Sequence, residues 1–456
     1  MQVNDEFILD IKRLGINGEG IGFYKKMVVF VKNAIPGEGV NVRVTELKNN
    51  MAFAEVIEYK HKSQDRIDGI NPDDYTGLSC AHIKYDAMLK YKKELLMESL
   101  TKYSGLNPRS FQVNDVIASP KINGYRNRSL LPVKFGRDMH MHVCMIKPNS
   151  NELVEISKTI DQDPLIDLLN EKILKETEVL RVKAYNEKYD DGILRYISIR
   201  VNEKNEAMVT FICKEDDNVI HELAKRVIKF DNVVSVYLNI NSKKDPGLLF
   251  GDKLILLEGK EFIIITLDKI KYQVYPKTFF QLNTMQAKNM FDLVKKACKL
   301  SFKERVLDAY CGVGAISLYL AHNAKEVIGI EYSKDSIDAA KKNAEINNIK
   351  NASFYQGDAG EVMLQRINSG ETFDVLVVDP PRQGLDDKFI NAVLKSNIKK
   401  VVYVSCNPQT LAKNLSRLKD KYDVRYITPL DMFPNTPLVE TICCLSQKKL
   451  KNKSSL

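Results

Sequence analysis

In Arg305-Val306-Leu307-Asp308-Ala309-Tyr310-Cys311-Gly312-Val313-Gly314-Ala315 a short apolar run ends on an acid and gives way to a turn with two glycines. Those glycines let the backbone turn tightly and let a ligand approach it closely. Outward from this stretch the pattern repeats. Strand-like segments at Glu326 to Ile330, Ala352 to Tyr355, Phe373 to Val378, Val401 to Ser405 and near 438–445 alternate with helical ones such as Ser336 to Ile346. Short apolar strands separated by helices predict a doubly wound, mainly parallel sheet. In such sheets ligands bind beyond the carboxyl ends of the strands, so the residues just after each strand are the candidates for chemistry.

Those residues form a pattern. Glu331, 23 positions beyond Asp308, ends the second strand, where a carboxylate can accept from both hydroxyls of a ribose. Asp358, in Gln356-Gly357-Asp358-Ala359, follows the third and can meet an adenine edge. An adenosine-containing cofactor fits this order. The third glycine of a dinucleotide fingerprint is replaced by Ser317, which favours S-adenosylmethionine over NAD. The fourth strand runs into Asp379-Pro380-Pro381-Arg382, whose prolines fix the backbone around the acid. The fifth runs into Ser405-Cys406-Asn407-Pro408, and Cys406 is the best nucleophile candidate among eight cysteines, with Cys311 its rival near the glycine turn.

The remainder divides in two. Residues 1–59 hold four or five short alternating strands with Pro-Gly turns, as in an OB-like barrel. Seven basic against eight acidic side chains there give no charge argument for nucleic acid, so packing and RNA binding both stay open. Residues 60–275 read as a central α+β domain, with a helix over Ile83 to Tyr103 and part of 83–118 a candidate for packing on the catalytic domain at 276–456. Within 119–147, Lys121, Arg126, Arg128, Lys134, Arg137 and Lys147 face one acid, Asp138, with Tyr125 and Phe135 interleaved. That composition suits RNA, because guanidiniums grip phosphates and aromatics stack on bases; a solvated edge strand is the plainer alternative. The whole chain has 456 residues, 44% of them hydrophobic, and a net charge of +9, which excludes disordered and collagen-like classes and permits a polyanionic partner. No apolar run is long enough for a membrane span, the start is acidic rather than signal-like, and the cysteines show no C-x-x-C pair. A cytoplasmic monomer without disulfides, bound metal or membrane contact is expected.

With these motifs in view, the sequence resembles the RNA 5-methyluridine (uracil-C5) methyltransferase family, in its TRAM-domain 23S rRNA branch. The resemblance rests on Gly18-Glu19-Gly20, Pro36-Gly37-Glu38, Tyr125-Arg126-Asn127-Arg128, Leu194-Arg195, Phe279-Phe280-Gln281-Leu282-Asn283-Thr284, the Asp308 turn, Asp379-Pro380-Pro381-Arg382, Ser405-Cys406-Asn407-Pro408 and Asp431-Met432-Phe433-Pro434. It implies a Rossmann-like S-adenosylmethionine-dependent fold with an amino-terminal TRAM barrel. It also implies Cys406 as nucleophile toward uracil C6, Glu440 as base, and Gln281, Tyr310, Glu331, Asp379 and Asp358 as cofactor contacts; Lys121, Arg126, Arg128 and Arg195 are the expected contacts to substrate RNA. Without the family, Glu440 reads equally well as a surface acid. Two departures stand out. The stretch where many members hold a four-cysteine iron–sulfur cluster keeps only Cys80, so no cluster is expected, and Asn435 and Leu438 replace histidines of the final motif. Two rival readings stay open: an amino-group methyltransferase, because an Asp-Pro-Pro loop suits that chemistry too, and a non-enzymatic RNA-binding assembly factor.

Overall fold

The computed structural model describes residues 1–75, 77–146, 152–156, 159–243 and 249–449. Lys147 of the basic segment lies outside them. Five parallel strands, in the spatial order Ala352–Gln356, Glu326–Glu331, Arg305–Ala309, Val375–Val378 and Lys400–Ser405, make one side of an eight-stranded sheet. The buried Val, Leu and Ile residues of the other four beside Ala352–Gln356 are what a sheet covered on both faces requires. The hairpin of Tyr422–Leu430 and Glu440–Gln447 continues the sheet antiparallel, and the short strand Gln112–Val113 pairs at the far edge.

Helices Thr284–Cys298, Ala315–Ala321 and Lys334–Ile346 bury Ala287, Met290, Ile316 and Ile337 against one face. Helices Ala359–Asn368, Asp387–Lys395 and Pro408–Leu418 bury Met363, Phe389 and Leu411 against the other. Helix Tyr85–Tyr103 joins that second layer through Leu96 and Leu100. Strand order reverses between Arg305–Ala309 and Val375–Val378, which opens a crevice at their carboxyl ends.

The central sheet runs Leu153–Glu155, Met141–Ile146, Arg128–Phe135, Leu194–Val201, Ala207–Cys213, Val233–Ile240 and Lys253–Gly259. Arg128–Phe135 is therefore an inner strand, paired on both sides, and not the solvated edge considered as an alternative. Six strands between Glu6 and His61 enclose the amino-terminal core of Leu9, Val29, Val31, Val40 and Val42. A buried bidentate pair, Arg66 Nε to Glu38 Oε1 (2.5 Å) and Nη2 to Oε2 (2.8 Å), ties this unit to the connector that follows.

Candidate active site at the strand ends

A cavity of about 780 Å³ occupies the crevice. Gln281, Tyr310, Glu331, Asp358 and Asp379 all line it, and so do Cys406 and Glu440. On one side stands the glycine turn. Tyr310 (φ +67°) and Gly312 (φ +55°) are both left-handed, a conformation that costs a tyrosine energy and that tight ligand loops retain. A Cβ on Gly312 would meet nothing within 4 Å, so its backbone is open to the cavity; one on Gly314 would strike the Phe354 ring at 2.9 Å. Glu331 is fixed by two backbone donors, Gly312 N–H to Oε2 (3.2 Å) and Ser333 N–H to Oε1 (2.9 Å). Asp358 caps helix Ala359–Asn368, its Oδ1 accepting from Glu361 N–H (3.0 Å). Asp308 is wholly buried and accepts from the Ser317 hydroxyl at 2.5 Å, while its other oxygen has no partner. Burial pushes the Asp308 carboxyl up to about 7. An accessible glycine backbone, a fixed acid and an orphaned buried oxygen form a set that fits the ribose and amino groups of an adenosyl amino acid and offers no cradle for a pyrophosphate.

The opposite side carries the reactive groups. All eight cysteines are free, seven are buried, and Cys406 alone is partly exposed. It directly follows strand Lys400–Ser405, and Asn407 beside it caps helix Pro408–Leu418 through Gln409 N–H (3.0 Å). The Asp379-Pro380-Pro381-Arg382 loop is pinned by Asn407 Nδ2 and Thr410 Oγ1, both donating to Arg382 O at 3.3 Å. Burial pushes the Cys406 thiol up to about 11; the Glu440 and Asp379 carboxylates push the same way and the Arg382 guanidinium opposes them. Glu440, 6% exposed at the start of strand Glu440–Gln447, is raised far above the usual carboxylate range by burial and then by Asp379. Burial likewise pushes Asp379 up to about 7. The Asp379 charge disfavours that of Glu440, so the two resist ionising together.

Sequence reasoning missed how the loop before Glu440 is held. Four successive carbonyls accept from four distant segments: Met432 O from Asn283 Nδ2 (3.1 Å), Phe433 O from Lys92 Nζ (3.1 Å), Pro434 O from the Tyr125 hydroxyl (3.1 Å) and Asn435 O from Cys80 N–H (3.1 Å). Lys92 Nζ also lies 2.5 Å from Asp431 Oδ1, both side chains fully buried. A lysine on the apolar face of a helix was the available signal.

The expected RNA contacts separate. Lys121 is exposed. Arg126 pairs with Asp161 (3.1 Å). Arg128 turns inward and donates to Pro276 O (2.9 Å), and Arg195, 5% exposed, donates to Asn241 O (2.8 Å) and Lys243 O (2.6 Å) and pairs with Glu187 (3.1 Å). Arg128 and Arg195 are thus not free surface guanidiniums: backbone carbonyls take up part of each. A larger cleft of about 1140 Å³ beside Arg195 and Lys134 contains none of the cavity's reactive groups. The residues around Cys80 do not fit an iron–sulfur cluster. Cys80 is completely buried among Leu14, Ile35, Ile83 and Met88, and among the described residues no group of three or more metal-ligating side chains exists.

Comparison with known proteins follows the same division. The profile of the tRNA (Uracil-5-)-methyltransferase family matches residues 84–448, and that of the TRAM domain matches residues 2–57. An RNA methyltransferase of Listeria monocytogenes is 36% identical over 453 residues, 98% of either chain. One from Halalkalibacterium halodurans is 37% identical over 451 residues, 98% of this chain and 97% of that one. Among solved structures, the Pyrococcus abyssi tRNA (uracil-54, C5)-methyltransferase in complex with S-adenosyl-L-homocysteine superposes with a TM-score of 0.77 at 30% identity, covering 96% of this chain and all of that one.

Proposed function

The chain belongs to the S-adenosylmethionine-dependent RNA uracil-5 methyltransferase family, with an amino-terminal TRAM domain, and from that premise we propose that it forms 5-methyluridine in 23S ribosomal RNA with Cys406 as nucleophile and Glu440 as base. The observation that carries this reading is that the one partly exposed thiol, two buried carboxyls raised above their usual range and the glycine turn all line one cavity.

Carbon 5 of uracil is a weak nucleophile. In the reading, Cys406 gives up its proton to solvent and its Sγ forms a bond to C6, and the displaced π electrons make an enolate that is nucleophilic at C5. When bound, S-adenosylmethionine supplies the electrophilic methyl group for that carbon. Glu440 then takes the C5 proton, the C5–C6 double bond re-forms, and the Sγ–C6 bond breaks to return Cys406. Arg382, which already opposes the rise of the thiol, steadies the thiolate that attacks and leaves. Gln281, Tyr310, Glu331, Asp358 and Asp379 are assigned to the cofactor, Glu331 on the ribose. The target uridine must leave its stack to reach Cys406. The reading includes a cytoplasmic monomer; no helix among the described residues is long and apolar enough to cross a membrane.

A second substrate reading, transfer RNA, is favoured by the Pyrococcus abyssi relative, named for uracil 54 of tRNA. Mass-spectrometric mapping of 5-methyluridine in both RNA pools, with and without the protein, separates them. Loss of one 23S site on deletion supports the first reading, loss of a tRNA site supports the second, and no loss in either overturns both. Trapping with 5-fluorouridine RNA tests the mechanism, since a covalent adduct that survives Cys406→Ala rules it out.

A further inference from the structure

Arg128 and Arg200 stand directly opposite each other on paired antiparallel strands of the central sheet. Like charges in that relation destabilise a strand pair, and buried charge is costly unless neutralised. Arg200 is 3% exposed, and Arg128 keeps only partial access to solvent. Neither forms an ion pair with any carboxylate among the described residues. Each instead donates one nitrogen to a carbonyl, Arg128 Nη2 to Pro276 O (2.9 Å) and Arg200 Nη2 to Thr278 O (2.9 Å). The Arg128 guanidinium also lies 5.5 Å from the centre of the Phe250 ring. Arg200 Nη1 is buried and has no partner at all. Elsewhere the fold answers its buried cations, Arg66 with Glu38 and Lys92 with Asp431, so this pair is the exception.

Its position gives the exception a use. Pro276 and Thr278 belong to the turn that leads into Phe279, which is 63% exposed and lines the cavity, so the two guanidiniums hold a turn that forms part of the cavity wall. We propose that Arg128 and Arg200 together bind one phosphodiester of the RNA strand beside the target uridine, an anion supplying the counter-charge that the chain itself withholds. This rests on the RNA methyltransferase reading above. Guanidinium forks match phosphate oxygens in geometry as well as charge. Arg128, with solvent access, takes the phosphate, and the buried Arg200 adds its charge from behind. Neutralising the pair also removes the repulsion across the two strands, so binding stiffens the Pro276–Phe279 turn.

Binding is measured by anisotropy with a single-stranded RNA oligonucleotide carrying a central uridine, over a range of potassium chloride concentrations and without cofactor. For Arg128→Gln and for Arg200→Gln the slope of log affinity against log salt is expected to fall by about 0.7, one single-strand phosphate contact. Thermal melting and calorimetric cofactor binding check that the variants fold. In the unaltered protein, replacing phosphates one at a time by neutral methylphosphonates should reveal one position whose loss lowers affinity and removes the difference from Arg128→Gln. A folded Arg128→Gln protein with unchanged slope and affinity overturns the proposal, as does a methylphosphonate series with no sensitive position. If inorganic phosphate raises the melting temperature of the unaltered protein but not of Arg128→Gln, while RNA affinities stay equal, the site serves a free anion and the RNA assignment falls. Failure of the functional reading looks different: no 5-methyluridine forms, yet the slope difference persists.

Discussion

The proposed cofactor side of the cavity is assembled from neighbours, whereas the proposed base side is assembled from strangers. Gly312, Glu331 and Asp358 stand at the ends of three adjoining strands, and Glu331 is held by N–H groups of its own ligand turn and of Ser333, two residues on. Glu440 follows a loop whose carbonyls are gripped by Cys80, Lys92, Tyr125 and Asn283. Local geometry can preorganise the first site as soon as the sheet forms. The second exists only when barrel connector, helix Tyr85–Tyr103, central domain and catalytic sheet have all docked, so cofactor binding and catalysis depend on different parts of the molecule.

Substitutions at six residues break or sharpen that contrast. Cys406→Ala should lower methylation by about 10⁴-fold or more while calorimetric cofactor affinity stays unchanged; a large loss of cofactor affinity would mean that the two sides are not separable. Lys92→Met leaves Asp431 charged and buried, and urea denaturation should show about 3–5 kcal/mol less stability. The double variant with Asp431→Leu should recover most of it, and a single-variant cost below about 1 kcal/mol would mean that the pair does not hold the base side. Glu331→Ala removes acceptors on the cofactor side alone and should weaken S-adenosylmethionine by about 10–100-fold with little change in melting. The smallest effect separates the charges around the thiol. Because Glu440 raises the Cys406 pKa and Arg382 lowers it, Glu440→Gln should speed iodoacetamide alkylation at pH 8 by about three- to tenfold and Arg382→Gln should slow it. For the same reason methylation by the unaltered protein should rise with pH across the neutral range, as both the thiol and the base must shed protons held above their ordinary values.

The same contrast explains what could be read from the chain alone. The turn at Asp308 to Gly314, the acids after each strand and the cysteine after Ser405 are neighbours of strand ends, so strand periodicity located them. Glu440 needed a family resemblance, because an acid between apolar residues says nothing of the carboxyl facing it. Arg128 and Arg195 are expected RNA contacts in the sequence, which records a guanidinium without recording the carbonyls that take it up. The Lys92–Asp431 pair spans 339 residues and leaves no local trace. Arg200, inside an apolar strand, was passed over although a charge there is itself a signal.

That span also orders events during synthesis. Domains generally fold as they leave the ribosome, amino-terminal parts first, and helix Tyr85–Tyr103 is finished long before Asp431 is translated. Until then its lysine has no anion to neutralise it, and a charged side chain keeps to water rather than enter an apolar interior. The helix, already packed with Leu14 and Ile35 through Met88 and Leu95, therefore completes its docking only after more than three hundred further residues are added, and nascent chains stalled short of Asp431 should be cut by protease within residues 85–103 faster than the finished protein.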